Sequence, residues 1–110
     1  MSGEPQGSGT PPQLSERQKK HLRGLAHALK PVIRAGQAGL TDALAKETAR
    51  ALEDHELIKV KAPLADRAAR DQLLAGLAAR TGSCLVHRIG NVGLLYRPHP
   101  KLRKILIPDR

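Results

Sequence analysis

The sequence predicts an α/β fold, a four-stranded mixed sheet packed by three helices, and three observations carry that prediction. Segments with apolar residues at helical spacing alternate with short strand-like runs, in the order helix, strand, helix, strand, helix, strand, strand. The segment joining the first two strands is a helical crossover, which favours a parallel pair. Gly90-Asn91 between the last two strands is a two-residue hairpin signal, so that pair is antiparallel.

Residues 1–13 are dominated by Ser, Gly, Pro, Gln and Thr and cannot bury a face, so they read as a disordered tail. The folded domain is expected over 14–97. Ser15 followed by Gln18 matches a capping box, and Leu22, Leu25, Ala26 and Leu29 form one apolar stripe, predicting a first helix from Ser15 to about Leu29. Arg17, Lys20, Arg23, His27 and Lys30 spread over its other half.

Pro31 fixes the start of a first strand, Val32 to Ala35, whose apolar run predicts burial on both faces. Thr41 caps a second helix from Asp42 to about Asp54, with Leu40, Leu44, Thr48 and Ala51 inward and balanced charge outward. Residues 55–62 alternate most clearly: Ile58, Val60 and Ala62 on one face, Lys59 and Lys61 on the other. Asp66 caps a third helix, with Ala69, Leu73, Leu77 and Ala78 inward, and Thr81-Gly82 closes it. Two strands follow, Cys84 to Ile89 and Val92 to Arg97. Residues 98–110 form a basic tail that either adds a short edge strand or lies along the surface.

Composition narrows the function. The chain has no Phe, no Trp and one Tyr, so it lacks the aromatic platforms on which RRM sheets and OB folds stack bases. Cys84 is alone, which leaves no internal disulfide and fits a reducing compartment. The five histidines show neither helical pairing nor cysteine companions, so no metal site is expected, and no cofactor or small-molecule substrate is implied. No signal-like run opens the chain and the longest apolar stretch, Leu73 to Ala79, is too short for a bilayer, so a cytoplasmic protein without membrane partners, monomeric, is expected.

Net charge is +9, and its placement matters more than its size. Residues 14–34 and 84–110 each carry +5, while the stretch between them sums to zero. Segregated charge of this kind suggests a polyanion footprint. The expectation is that both basic ends fold back to flank a bare loop.

That loop is Gly36-Gln37-Ala38-Gly39, between the first strand and the second helix. Such a junction points backbone N–H groups and the positive end of a helix dipole outward, and glycine lets another backbone approach. On spacing alone such a glycine pair is most often only a tight turn; the cations around it favour a phosphodiester visitor. Arg34 stands just before the loop, and Lys59 and Lys61 serve either as phosphate contacts or to blunt aggregation.

The runs 18–32, 36–41, 55–61 and 89–97 together resemble the CRM domain (chloroplast RNA splicing and ribosome maturation), in particular its stand-alone bacterial YhbY-like members. The resemblance covers Leu14 to Arg97 in order. It implies an RNA-binding fold similar to the C-terminal domain of translation initiation factor three, with a GxxG loop likened to that of KH domains. It further implies association with precursor rRNA of the large subunit and pre-50S particles. Carried over by position, the RNA surface would be Gly36, Gln37, Ala38 and Gly39 with Lys20, Arg23, Lys30, Arg34, Lys59, Lys61 and Arg97.

The sequence therefore reads as a non-catalytic RNA-binding protein. One alternative is a small RNA-directed enzyme, with His27 or His55 as base and Glu53, Asp54 or Glu56 as partner; neighbours at a helix-to-strand turn rarely converge. The other is a general nucleic-acid-binding protein, which the charge permits but no helix-turn-helix pattern supports.

Overall fold

A computed structural model of the chain describes residues 12–36, 38–101, 103 and 105–108. The elements run α1 (Glu16–Ala26), β1 (Pro31–Arg34), α2 (Asp42–His55), β2 (Leu57–Lys61), α3 (Arg67–Thr81), β3 (Cys84–Ile89) and β4 (Val92–Tyr96). Their order is the one expected, and the strands form one mixed sheet arranged β1-β2-β4-β3. β1 runs parallel to β2, and β4 runs antiparallel to both of its neighbours.

Local chemistry sets the helix ends. Ser15 Oγ accepts the Gln18 N–H at 3.1 Å while Gln18 Oε1 accepts the Ser15 N–H at 2.9 Å, the reciprocal box that starts α1. α1 stops at Ala26, earlier than expected, and Leu29 N–H closes a tighter turn onto Ala26 O at 2.9 Å. Pro31 explains this, because its ring keeps the preceding residue out of the helical region and the chain must already be turning there. Thr41 Oγ1 accepts the Leu44 N–H at 3.1 Å to open α2, and Asp66 Oδ1 accepts the Ala68 N–H at 3.1 Å to open α3.

The sheet is covered on both faces. On one, α2 and α3 bury Leu44, Leu52, Leu73, Leu74 and Leu77 against Ile33, Ile58, Val60 and Leu95. On the other, Leu22 and Ala26 of α1 pack on Leu57, Val86, Leu94 and Tyr96. Thr48, inside the first cluster, is fully buried yet satisfied, its hydroxyl donating to Leu44 O at 2.7 Å.

One expectation changes, and one open alternative closes. β1 is an edge strand that buries Ile33 but leaves Val32 50% exposed, because only β2 flanks it; burial on both faces does not occur. The tail adds no strand among the described residues. It lies beside α1, with Gln18 Nε2 donating to Pro108 O at 2.7 Å and His21 Nε2 to Leu106 O at 3.0 Å, while Ile105 and Ile107 pack on the α1-side core.

Candidate nucleic-acid interface

The loop between β1 and α2 presents bare main chain. Gly36 and Ala38 are exposed, and a Cβ added at Gly36 or at Gly39 would meet nothing within 4 Å. The two glycines have different reasons to be there. Gly39 has φ +80°, a left-handed conformation that L side chains adopt at a cost, and its N–H closes onto Gly36 O at 3.2 Å. Gly36 has neither a positive φ nor a crowding neighbour, so the folded chain itself has no need of a glycine at that position. Gln37 lies outside the described residues.

Strand register places the cations relative to this loop. Arg34 at the end of β1 pairs with Lys61 at the end of β2, and Lys61 pairs with Val92 beside the hairpin turn. The loop, Arg34, Lys61 and the β3–β4 turn therefore share one end of the sheet. Lys20 and Arg23, on the flank of α1 that overlooks this end, border a cleft of about 640 Å³ between the helix and the sheet, which Lys59 also lines. Lys20, Lys30 and Arg34 are exposed, and Arg23 and Lys61 are half-buried. Among the described residues none of these five makes an ion pair or a side-chain hydrogen bond. Lys30 precedes β1 and lies at the other end of that strand, near Val32, His55 and Ile105; the other four, left without partners at the loop end, leave a positive potential there for a polyanion.

Other candidate residues are committed elsewhere. Lys59 donates from Nζ to Leu29 O at 2.9 Å, tying the turn after α1 to the sheet; two of its three protons stay available. Arg97 follows β4, whose end pairs with the start of β2, so it stands at the opposite end of the sheet from the loop. Its guanidinium donates to Thr81 O at 2.8 Å and to Ala49 O at 3.2 Å, joining the end of α3 to the middle of α2. The structure thus gives Arg97 a strut's work and sets it apart from the loop-end surface. On α2, Asp42 pairs with Arg80 of α3 and not with Lys46, and that guanidinium, by its hydrogen bond and its charge, holds the Asp42 carboxyl below the usual carboxylate range.

Among the described residues, the second basic cluster does not leave free cations beside the loop as expected. Arg88 pairs with Asp71 and donates to Gly90 O at 2.7 Å, which uses it to brace the hairpin against α3. Lys101 and Arg103 follow the tail, which is pinned at the far end by Glu56. The Glu56 carboxylate is fully buried and accepts the His99 N–H at 2.6 Å and the Ile105 N–H at 2.8 Å. β2 separates these two ends, about 13 Å for a five-residue strand. Glu56 also sits at φ 64°, unusual for a residue with a side chain. A carboxylate so placed holds a chain segment, and His55 beside it is exposed on the surface.

The sequence reading missed the sheet's own share of the cleft, His87, Ile89, Val92 and Leu94. In an unbroken strand Leu85 and His87 would point the same way. A register shift between them lets Leu85 pack on the α2–α3 cluster while His87 turns to the α1 side.

Comparison with known proteins gives this arrangement its relatives. The family model described as the CRS1 / YhbY (CRM) domain matches residues 14–97. The chain belongs to the CRM domain family. Within it, the chain is 47% identical over 93 residues to a protein of Pseudomonas aeruginosa named a probable RNA-binding protein, covering 84% of this chain and 89% of that one. It is 42% identical over 97 residues to an RNA-binding protein of Haemophilus influenzae, covering 88% and 97%. The solution structure of a hypothetical Staphylococcus aureus protein, proposed in its description to bind RNA, superposes with a TM-score of 0.76 at 32% identity, covering 87% of this chain and all of the other. Among the described residues, no helix is long and apolar enough to cross a membrane.

Proposed function

We propose that this CRM domain is a non-catalytic RNA-binding protein that grips structured RNA through its sugar-phosphate backbone, and that its target is precursor rRNA of the large ribosomal subunit in pre-50S particles. The observation that carries the first part is Gly36, a glycine that neither conformation nor packing requires, set beside Arg34 and Lys61. A missing side chain is of use there to an approaching backbone. The N-terminus of α2 just beyond adds a dipole of the right sign for phosphate. The relatives' names support RNA over other polyanions. Of the three acids the enzyme alternative could use, Glu56 is occupied by two backbone amides.

The working surface is Gly36, Ala38, Gly39, Lys20, Arg23, Arg34 and Lys61, with the spare protons of Lys59; Lys30, at the other end of β1, is left out. Arg97 is left out for the reasons of geometry given above. Fractionation of cell lysate on sucrose gradients at two salt concentrations tests the assignment. The protein is expected to sediment with large-subunit precursors at low salt and to leave them at high salt, and Gly39→Asp is expected to release it at both. Sedimentation at the top of the gradient under both conditions would refute the ribosomal target. Competition between a structured RNA and duplex DNA at one salt concentration separates RNA binding from general nucleic-acid binding.

A further inference from the structure

The cleft between α1 and the sheet has a rim and a floor of different chemistry. Lys20, Arg23 and His27 edge it on the helix, and Lys59 and His87 on the sheet. Its floor is aliphatic, formed by Ala26, Val92 and Leu94, with Ile89 standing 69% exposed at its mouth. A phosphate has no use for such a floor, since it would surrender hydration and gain no hydrogen bond. A nucleobase matches both parts, having apolar faces and a phosphate on either side. The volume, about 640 Å³, falls within the roughly 300–1,000 Å³ of small-molecule sites. The cleft also opens at the same end of the sheet as the glycine loop, so one RNA strand can reach both.

We propose that this cleft receives one unpaired nucleotide extruded from the bound RNA, its base lodged between α1 and the β3–β4 hairpin and its flanking phosphates held by Lys20, Arg23 and Lys59. The inference rests on the RNA-binding reading and adds a preference to it. The domain would favour a stem that carries a bulge over a continuous one, because only the bulge can deliver a base without breaking a pair. Aliphatic walls replace the aromatic platform that other RNA-binding modules use. Tyr96, the only tyrosine in a chain without Phe or Trp, is buried under α1.

The test uses the full chain and two RNA stems of identical sequence. One carries a single bulged 2-aminopurine and the other carries 2-aminopurine within a continuous duplex. The bulged stem is expected to bind about tenfold more tightly at the same salt, the scale of one base gaining a surface to pack on. Its 2-aminopurine is expected to brighten, because it leaves its stacked neighbours for a cleft whose floor is aliphatic. Gly24→Leu supplies the decisive variant. Gly24 lines the cleft in the last turn of α1, and a Cβ there meets nothing within 4 Å. Leucine is also the better helix former, so folding is preserved while the cleft is obstructed. The variant is expected to lose the preference for the bulge and keep the affinity for the continuous stem. Equal affinity for the two stems, unchanged fluorescence, or a preference that survives Gly24→Leu would each overturn the proposal and leave backbone binding standing. Failure to bind either stem would overturn both. A dimer of the wild-type chain that Gly24→Leu dissociates would assign the cleft to a second copy instead.

Discussion

Replacing Gly36 and Gly39 by alanine, one at a time, separates what the loop needs to fold from what it needs to bind. Gly39 has φ +80°, so Gly39→Ala forces a side chain into the left-handed region at a cost of about 1–2 kcal/mol. Gly36 carries no such demand, and the added methyl enters open space. Gly36→Ala is therefore expected to leave stability unchanged or to raise it by about 0.4–1 kcal/mol, through the lost freedom of the unfolded chain. In the complex that methyl stands where a phosphodiester has to approach. Losing one charge-assisted hydrogen bond costs about 1.5–3 kcal/mol, or roughly 10- to 150-fold in affinity. Urea unfolding followed by circular dichroism gives the first quantity, and fluorescence anisotropy with a labelled stem-loop RNA gives the second. An alanine at position 36 that binds like the wild type would refute the reasoning, as would one that destabilises the fold as much as alanine at position 39.

Three further substitutions probe the rest of the architecture. Glu56→Gln keeps one oxygen to accept one of the two backbone amides and sets an NH2 donor against the other, so at least one charge-assisted bond is lost, about 1.5–3 kcal/mol; faster hydrogen exchange confined to the tail, with the sheet unaffected, is the expected readout. Arg97→Leu takes the guanidinium donor from the Thr81 carbonyl at the end of α3 and from the Ala49 carbonyl of α2, and is expected to lower the unfolding midpoint while RNA affinity stays within twofold or so. Burial, and next the nearby Glu56 carboxylate, push the Tyr96 hydroxyl up in pKa. The folded chain then favours the neutral phenol. That stability is fully present below the unfolded pKa of about 10 and is lost as pH rises through the folded value. Tyr96→Phe is expected to make alkaline unfolding occur at higher pH than in the wild type, and an unchanged alkaline limb would contradict this.

The order of elements could be read from the chain because each signal is local: the Ser15 capping box, the 57–61 alternation, Gly82 after α3 and the Gly90-Asn91 turn all specify their own neighbourhood. What could not be read depends on which strand lies beside which. Val32 is as apolar as Val60, but β1 is at an edge and β2 is central, so only Val60 is buried. Leu52 and Leu74 are fully buried although the stripes read from sequence omit them, because a helix lying across a sheet buries more than one row of side chains. Positive charge misled in the same way. Arg34 and Arg97 both stand at strand ends, yet one lies beside the loop and the other bonds to carbonyls of Thr81 and Ala49 at the far end. Glu56 held the least visible role: a carboxylate in a turn signals nothing about a tail that reaches it from 43 residues on.

The account stands on a phosphate backbone held at one end of the sheet, and the salt dependence of affinity measures that directly. If Lys20, Arg23, Arg34 and Lys61 each neutralise one phosphate, log affinity falls against log salt with a slope of about 2.8 to 3.6. Arg34→Gln is expected to reduce that slope by about 0.7–0.9, and Arg97→Gln to leave it unchanged. A flat salt dependence in the wild type, or a slope that falls with Arg97 and not with Arg34, would contradict it.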